Sequence, residues 1–165
     1  MIAKHILTWP DELLSERCTP ASDFEFAGAL GAEMLDLMYA VGARGLAAPQ
    51  VGVAQRIIVL DCGWQDGESV ELVCVNPHIE AWSDIWETNE ESAVSVPGVT
   101  AEVKRPSRVS LVFSDIEGQR QDADFDGQDA IVVQQAMDHL EGRTLLDHLA
   151  ADARAAALAE YELVA

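Results

Sequence analysis

The chain has 165 residues, 49% of them hydrophobic, and sets 10 Lys+Arg against 29 Asp+Glu for a formal net charge of -19. That apolar content fills one core and suits a single domain over residues 1–165, while the charge argues against a nucleic-acid backbone or an anionic membrane as partner, since both need clustered positive charge. No run of about 18 apolar residues occurs, and "MIAKHILTWPDELL" lacks the apolar core and cleavage site of a signal peptide, so a cytoplasmic protein is expected.

In chain order, "ASDFEFAGALGAEMLDLMYAVG" comes first, with Ala27, Leu30, Met34, Leu37, Met38 and Val41 at helical spacing on one stripe. Ser22 followed by Glu25 reads as a capping box, and Gly42 as the C-terminal stop. The loop "ARGLAAPQVG" leads to four runs rich in β-branched residues, "QRIIVLD", "ELVCVNP", "VTAEVKRP" and "RVSLVFSD", with turn signals at Asp66-Gly67 and Glu117-Gly118. "GQDAIVVQQAMDHLEG" then reads as a helix with Ile131, Gln135 and His139 on one face, and "AADARAAALAEYEL" as a last surface helix. A helix, many strands and a helix make an α+β fold with antiparallel pairing. Cys18, Cys62 and Cys74 are odd in number and widely spaced, which suits reduced, buried thiols; His5, His78 and His148 have no companion at ligand spacing. The acidity itself reads as surface solubility or salt adaptation, only Lys4 and Lys104 being lysines.

Three stretches carry more. "ARGLAAPQ" (43–50), "ESAVS" (91–95) and "QQAMDHLEG" (134–142) resemble, in order and spacing, the GxGLAAxQ, EGCLS and QHExDHLxG motifs of the peptide deformylases. The flanking "LTWPDELL", "QRIIVLD", "VNP" and "KRPSRV" resemble the same family, so the likeness extends over nearly the whole chain. It implies antiparallel sheets packed around a central helix in the C-terminal half that carries the third motif. It also implies a divalent metal held by the Cys of the second motif and the two His of the third, with the Glu beside the first His shuttling protons as the formyl group leaves N-formylmethionyl peptides.

Carried over residue by residue, the resemblance places Ala93 at the ligand Cys, Gln135 at the first ligand His and Ala136 at the catalytic Glu, leaving only His139. Metal hydrolysis needs about three protein ligands and an open position for water. Gln135 and His139 make at best a weak two-ligand site, and the missing carboxylate is worth typically ~100- to 10,000-fold in rate. No cofactor is therefore expected, and the chain reads as a deformylase relative without deformylase activity that binds N-terminal peptides or pairs with an active relative. The alternative is an active metallohydrolase with an atypical iron, nickel or zinc site built from His139, Gln135 and Glu91.

The resemblance leaves a pocket. Gln50 and the Val94 backbone N–H match the pair that binds an oxyanion, Gly45 keeps the small-residue loop, and Ile131 and Val132 match the wall of the methionine pocket. Arg44 replaces a usually aliphatic residue near the mouth, and Ser92 replaces the glycine of the second motif. Each has a plainer reading: His139 as a buried, hydrogen-bonded histidine, Asp138 as a scaffold group, Gln50 as a satisfied amide, Ile131 and Val132 as core. The last helix sets Asp152, Glu160 and Glu162 against the single Arg154, so docking to ribosomal RNA through it is not expected.

Overall fold

Helix α1 (Phe24–Ala40) starts one residue later than the capping pattern predicts, because Asp23 and not Ser22 supplies the cap, its carboxylate accepting from the Phe26 N–H at 2.9 Å. At the other end Gly42 takes φ +74°, and the N–H groups of Gly42 and Ala43 close onto the carbonyls of Tyr39 and Met38. Ala27, Leu30, Met34 and Met38 are buried as predicted and are joined by Gly31 and Leu35. Val41 falls beyond the last turn as the C-cap and is 47% exposed, so the stripe ends one position earlier than the spacing suggests. The structure, a computed structural model, describes Ala3 and residues 5–164; Lys4 lies outside the described residues.

Among the described residues seven strands follow: β1 (Gly45–Ala47), β2 (Ile57–Leu60), β3 (Leu72–Trp82), β4 (Trp86–Ser92), β5 (Thr100–Pro106), β6 (Arg108–Ser114) and β7 (Arg120–Asp126). They form an antiparallel five-stranded sheet in the order β1-β2-β3-β6-β7 and a separate β4-β5 hairpin. Strand β2, "IIVL", is buried throughout, because alternation sends Ile57 and Val59 to α1 and Ile58 and Leu60 to helix α2 (Gly127–Leu140). The two helices thus cover opposite faces of one sheet, α2 through Ala130, Val133, Ala136, Met137 and Leu140. This is the α+β arrangement that the sequence predicts, with the motif-bearing helix at its centre.

Helix α2 ends on Gly142, at φ +73°, whose N–H and that of Arg143 close onto the carbonyls of His139 and Asp138. A Cβ there would also stand 2.7 Å from the Ser15 carbonyl oxygen, so the glycine of "HLEG" lets the chain pass close to the N-terminal segment. Helix α3 (Ala151–Val164) is more than a surface element: Tyr161 is buried with Val96, Val99 and Leu146, and its hydroxyl donates to the Trp9 carbonyl at 2.7 Å. Among the described residues no helix is long and apolar enough to cross a membrane.

Candidate functional site

One stripe of α2, formed by Gln128, Val132, Gln135, Ala136 and His139, closes one wall of a cavity of about 410 Å³. The loop 42–45 with Gln50 forms the second wall, and Ser92, Ala93, Val94 and Gly98 the third. The first, second and third motifs therefore meet, and Arg44, Gly45, Gln50, Ala93, Val94, Val132, Gln135, Ala136 and His139 all line the cavity. Ile131 is buried but outside the lining: a turn of 100° per residue puts it to one side of the stripe, and Val132 alone supplies the predicted apolar wall. Gly45 is needed for close approach, since a Cβ on it would meet Val132 Cγ1 at 2.8 Å.

Gln50 is mostly committed to the scaffold. Its carbonyl oxygen accepts from the Ala47 N–H at 2.9 Å, and its amide donates to Ser95 Oγ at 3.0 Å, leaving one amide hydrogen for a ligand. Arg44, in the cavity lining, donates from Nε to the Gln65 side-chain oxygen at 3.0 Å and lies 3.7 Å from Asp66.

Behind the cavity lies a polar network that the sequence reading missed. Arg105 binds both oxygens of Glu91, at 2.7 and 2.9 Å, and Asp138 at 3.0 Å, and Asp138 also meets His148 Nε2 at 2.8 Å. Gln135 donates to Glu91 Oε1 at 3.0 Å and to the Ser92 carbonyl at 3.2 Å, tying α2 to β4 through a side-chain amide. A signal was present: in "TAEVKRP" Ala101, Val103 and Arg105 share the inward face of β5, so an arginine there requires a buried partner. Asp138 has the scaffold role expected of it, and His148, which had no assigned partner, holds it in place.

Burial drives the imidazole of His139 down to about 4, against smaller opposing effects from Asp138 and Asp147, and its Nδ1 has no hydrogen-bond partner. The expectation of a hydrogen-bonded histidine is thus corrected at that nitrogen: the ring is held by packing. A histidine with a depressed folded value stabilises the protein above its unfolded value near 6.5 and loses that contribution as pH falls toward 4. We expect the His139 ring proton signals to stay unshifted from pH 8 to 5 in an NMR titration; a midpoint near 6.5 would show instead that the ring is solvated.

This donor set does not fit a divalent metal. It offers one imidazole and one neutral amide, whereas Ala93 and Ala136 present methyl groups, and Glu91 has both oxygens engaged. Among the described residues there is no cluster of three or more His, Cys, Asp or Glu side chains able to hold an ion. No thiolate substitutes for it: burial pushes Cys18 up to about 11, Cys62 up to about 12, and Cys74 higher still. What lines the cavity besides His139 is neutral: Gln50, with one amide hydrogen left uncommitted, Gln135, Val94 and the apolar Val132.

The family model described as Polypeptide deformylase matches residues 3–155. Relatives include the peptide deformylase of Maricaulis maris, 38% identical over 150 residues that cover 90% of this chain and 86% of that protein. That of Pelagibacter ubique is 39% identical over 150 residues, 90% and 87% respectively. Among solved structures, a peptide deformylase from Legionella pneumophila superposes with a TM-score of 0.91 at 32% identity, covering 99% of this chain and 95% of that one. The Arabidopsis thaliana peptide deformylase 1B gives 0.90 at 33% identity, covering 98% and 90%.

Proposed function

Since the chain belongs to the polypeptide deformylase family, we propose that it is a member that binds formylated or other N-terminal peptides and does not hydrolyse them. One observation carries the reading. At the two family positions that would ligate a metal and the one that would move the proton stand Ala93, Gln135 and Ala136, and Gln135 spends its N–H groups on Glu91 and Ser92. A methyl group neither coordinates nor transfers a proton, so water in this cavity meets no carboxylate base, and burial lowers the basicity of the one imidazole there, His139.

Binding is a separate capacity. A peptide carbonyl placed between the Gln50 amide and the Val94 N–H replaces its water hydrogen bonds, and an unbranched apolar side chain gains burial against Val132. The cavity of about 410 Å³ has the size of a site for a short peptide end. We expect formyl-Met-Ala-Ser to perturb the amide NMR signals of Gln50, Val94 and Val132 and to be recovered intact by mass spectrometry after prolonged incubation. Chelator-sensitive release of formate would instead make the chain an active deformylase with an atypical metal site.

A further inference from the structure

Ten cations face 29 acids in this chain, and among the described residues most of them are neutralised in place. Arg17 and Arg56 pair with Glu141, Arg44 with Asp66, Arg105 with Glu91 and Asp138, Arg120 with Glu80, and Arg154 with Asp147. Among the described residues Lys104 and Arg108 make no ion pair, and Arg143 makes no contact ion pair, only a longer-range interaction with Asp147. These three are not scattered. Lys104 and Arg143 line a groove with Trp82 and Trp86, and Arg108 lines an adjoining one that shares Trp82 and Val109.

The same place gathers three of the exposed large hydrophobic residues among those described: Trp82 at the end of β3 is 60% exposed, Ile85 in the turn 68% and Trp86 at the start of β4 48%. Exposed apolar residues gathered in one place, as opposed to scattered singly, mark interaction surfaces. The turn is also held rigidly. The Ser83 N–H donates to the Arg108 carbonyl at 3.0 Å, the Ser107 N–H to the Ile85 carbonyl at 2.9 Å, and the Arg108 N–H to Ser83 Oγ at 3.2 Å. Two tryptophans presented on a stapled turn lose little freedom when a partner covers them.

We propose that this face docks a short acidic segment of a partner protein, its apolar side chains seated between Trp82 and Trp86 and its carboxylates on Lys104, Arg108 and Arg143. The charge argument favours a short segment. At physiological salt, charges beyond about 8 Å are largely screened, so a ligand confined to the groove meets Lys104, Arg108 and Arg143 rather than the summed charge of the chain. A long polyanion such as RNA would run on over exposed acids on both sides, Glu87 and Glu90 of β4 and Asp122, Asp124 and Asp126 of β7. A second copy would bring its own -19 against this one. Asp124 within the adjoining groove already accepts from Ser110 at 2.5 Å, and Asp138, which lines the groove of the two tryptophans, is taken up by Arg105 and His148.

The test is selection of a displayed library of short random peptides on the full chain, counter-selected against the exposed-residue variant W82S/W86S. The enriched sequences are expected to be net acidic with aromatic or aliphatic anchors. A representative peptide should bind W82S/W86S and, separately, K104E/R108E/R143E at least about tenfold more weakly, with affinity falling as salt rises and with melting curves unchanged. The proposal is overturned by any of four results: no enrichment over the counter-selection, enrichment of basic or neutral sequences, binding of poly(U) RNA through these same residues, or self-association abolished by W82S/W86S. None of these outcomes bears on the cavity, so the peptide-binding reading stands or falls separately.

Discussion

Restoring three side chains, Ala93→Cys, Gln135→His and Ala136→Glu in one variant, is expected to create a metal site and with it formyl-peptide hydrolysis. The positions are already assembled, because 93, 135, 136 and 139 line one cavity and α2 is anchored on both flanks by buried side chains. The carboxylate alone is expected to contribute roughly 100- to 10,000-fold, on top of the change from no bound metal to three protein ligands. The variant carries a cost before metal is added. Losing the Gln135 bonds to Glu91 and Ser92 removes a link between α2 and β4 worth about 1 kcal/mol, and thermal stability should recover on adding nickel or zinc. Metal content, melting temperature with and without metal, and formate release measure the three parts. A folded variant that takes up metal and yet leaves the formyl group in place would mean that something besides these residues silences the site.

Arg105→Met is the substitution expected to destabilise the fold most. Arg105 and Glu91 have side chains only 7% and 1% exposed, and Arg105 also holds Asp138. Removing one partner strands a buried carboxylate, which costs about 3–5 kcal/mol out of a typical total of about 5–15. The same network sets an acid limit. Burial pushes the Asp138 carboxyl up, but the His148 hydrogen bond and the Arg105 charge outweigh it and hold the group below its ordinary range. A carboxylate with a lowered folded value stabilises above its unfolded value, near 3.9, and that contribution is lost as pH falls below it toward the folded value. Urea unfolding at neutral pH, followed by tryptophan fluorescence, should place the Arg105→Met midpoint well below that of the wild type. An unchanged midpoint would mean that Glu91 finds another partner or takes up a proton at little cost.

The parts of the molecule legible in the sequence are those where one face is buried. "IIVL" reads as a strand because it is covered on both sides, and the α1 and α2 stripes read as helices because each meets the sheet along one face. Strand β4, "WETNEES", gave no such pattern: all its residues but Glu91 are exposed, and it exists because it pairs in register with β5 from Trp86–Pro106 to Ser92–Thr100. Strand β7, "RQDADFD", is an edge strand and is equally polar. At the site, the spacing of three motifs was enough to place Ala93, Gln135, Ala136 and His139 together, since a family's register carries geometry that single residues do not. Glu91 was different. From the sequence it was a possible replacement ligand, and only the inward face of β5, with Arg105 on it, shows where its charge goes. Ile131 went astray for a local reason, one step around a helix from the residue that meets the cavity.

Metal stoichiometry tests the central claim most directly: protein purified anaerobically, offered iron, nickel and zinc in turn, then desalted and subjected to elemental analysis. The donor set of one imidazole and one amide predicts less than about a tenth of an equivalent of any of them. Close to one equivalent, lost on His139→Ala, would contradict it and return the chain to the hydrolases.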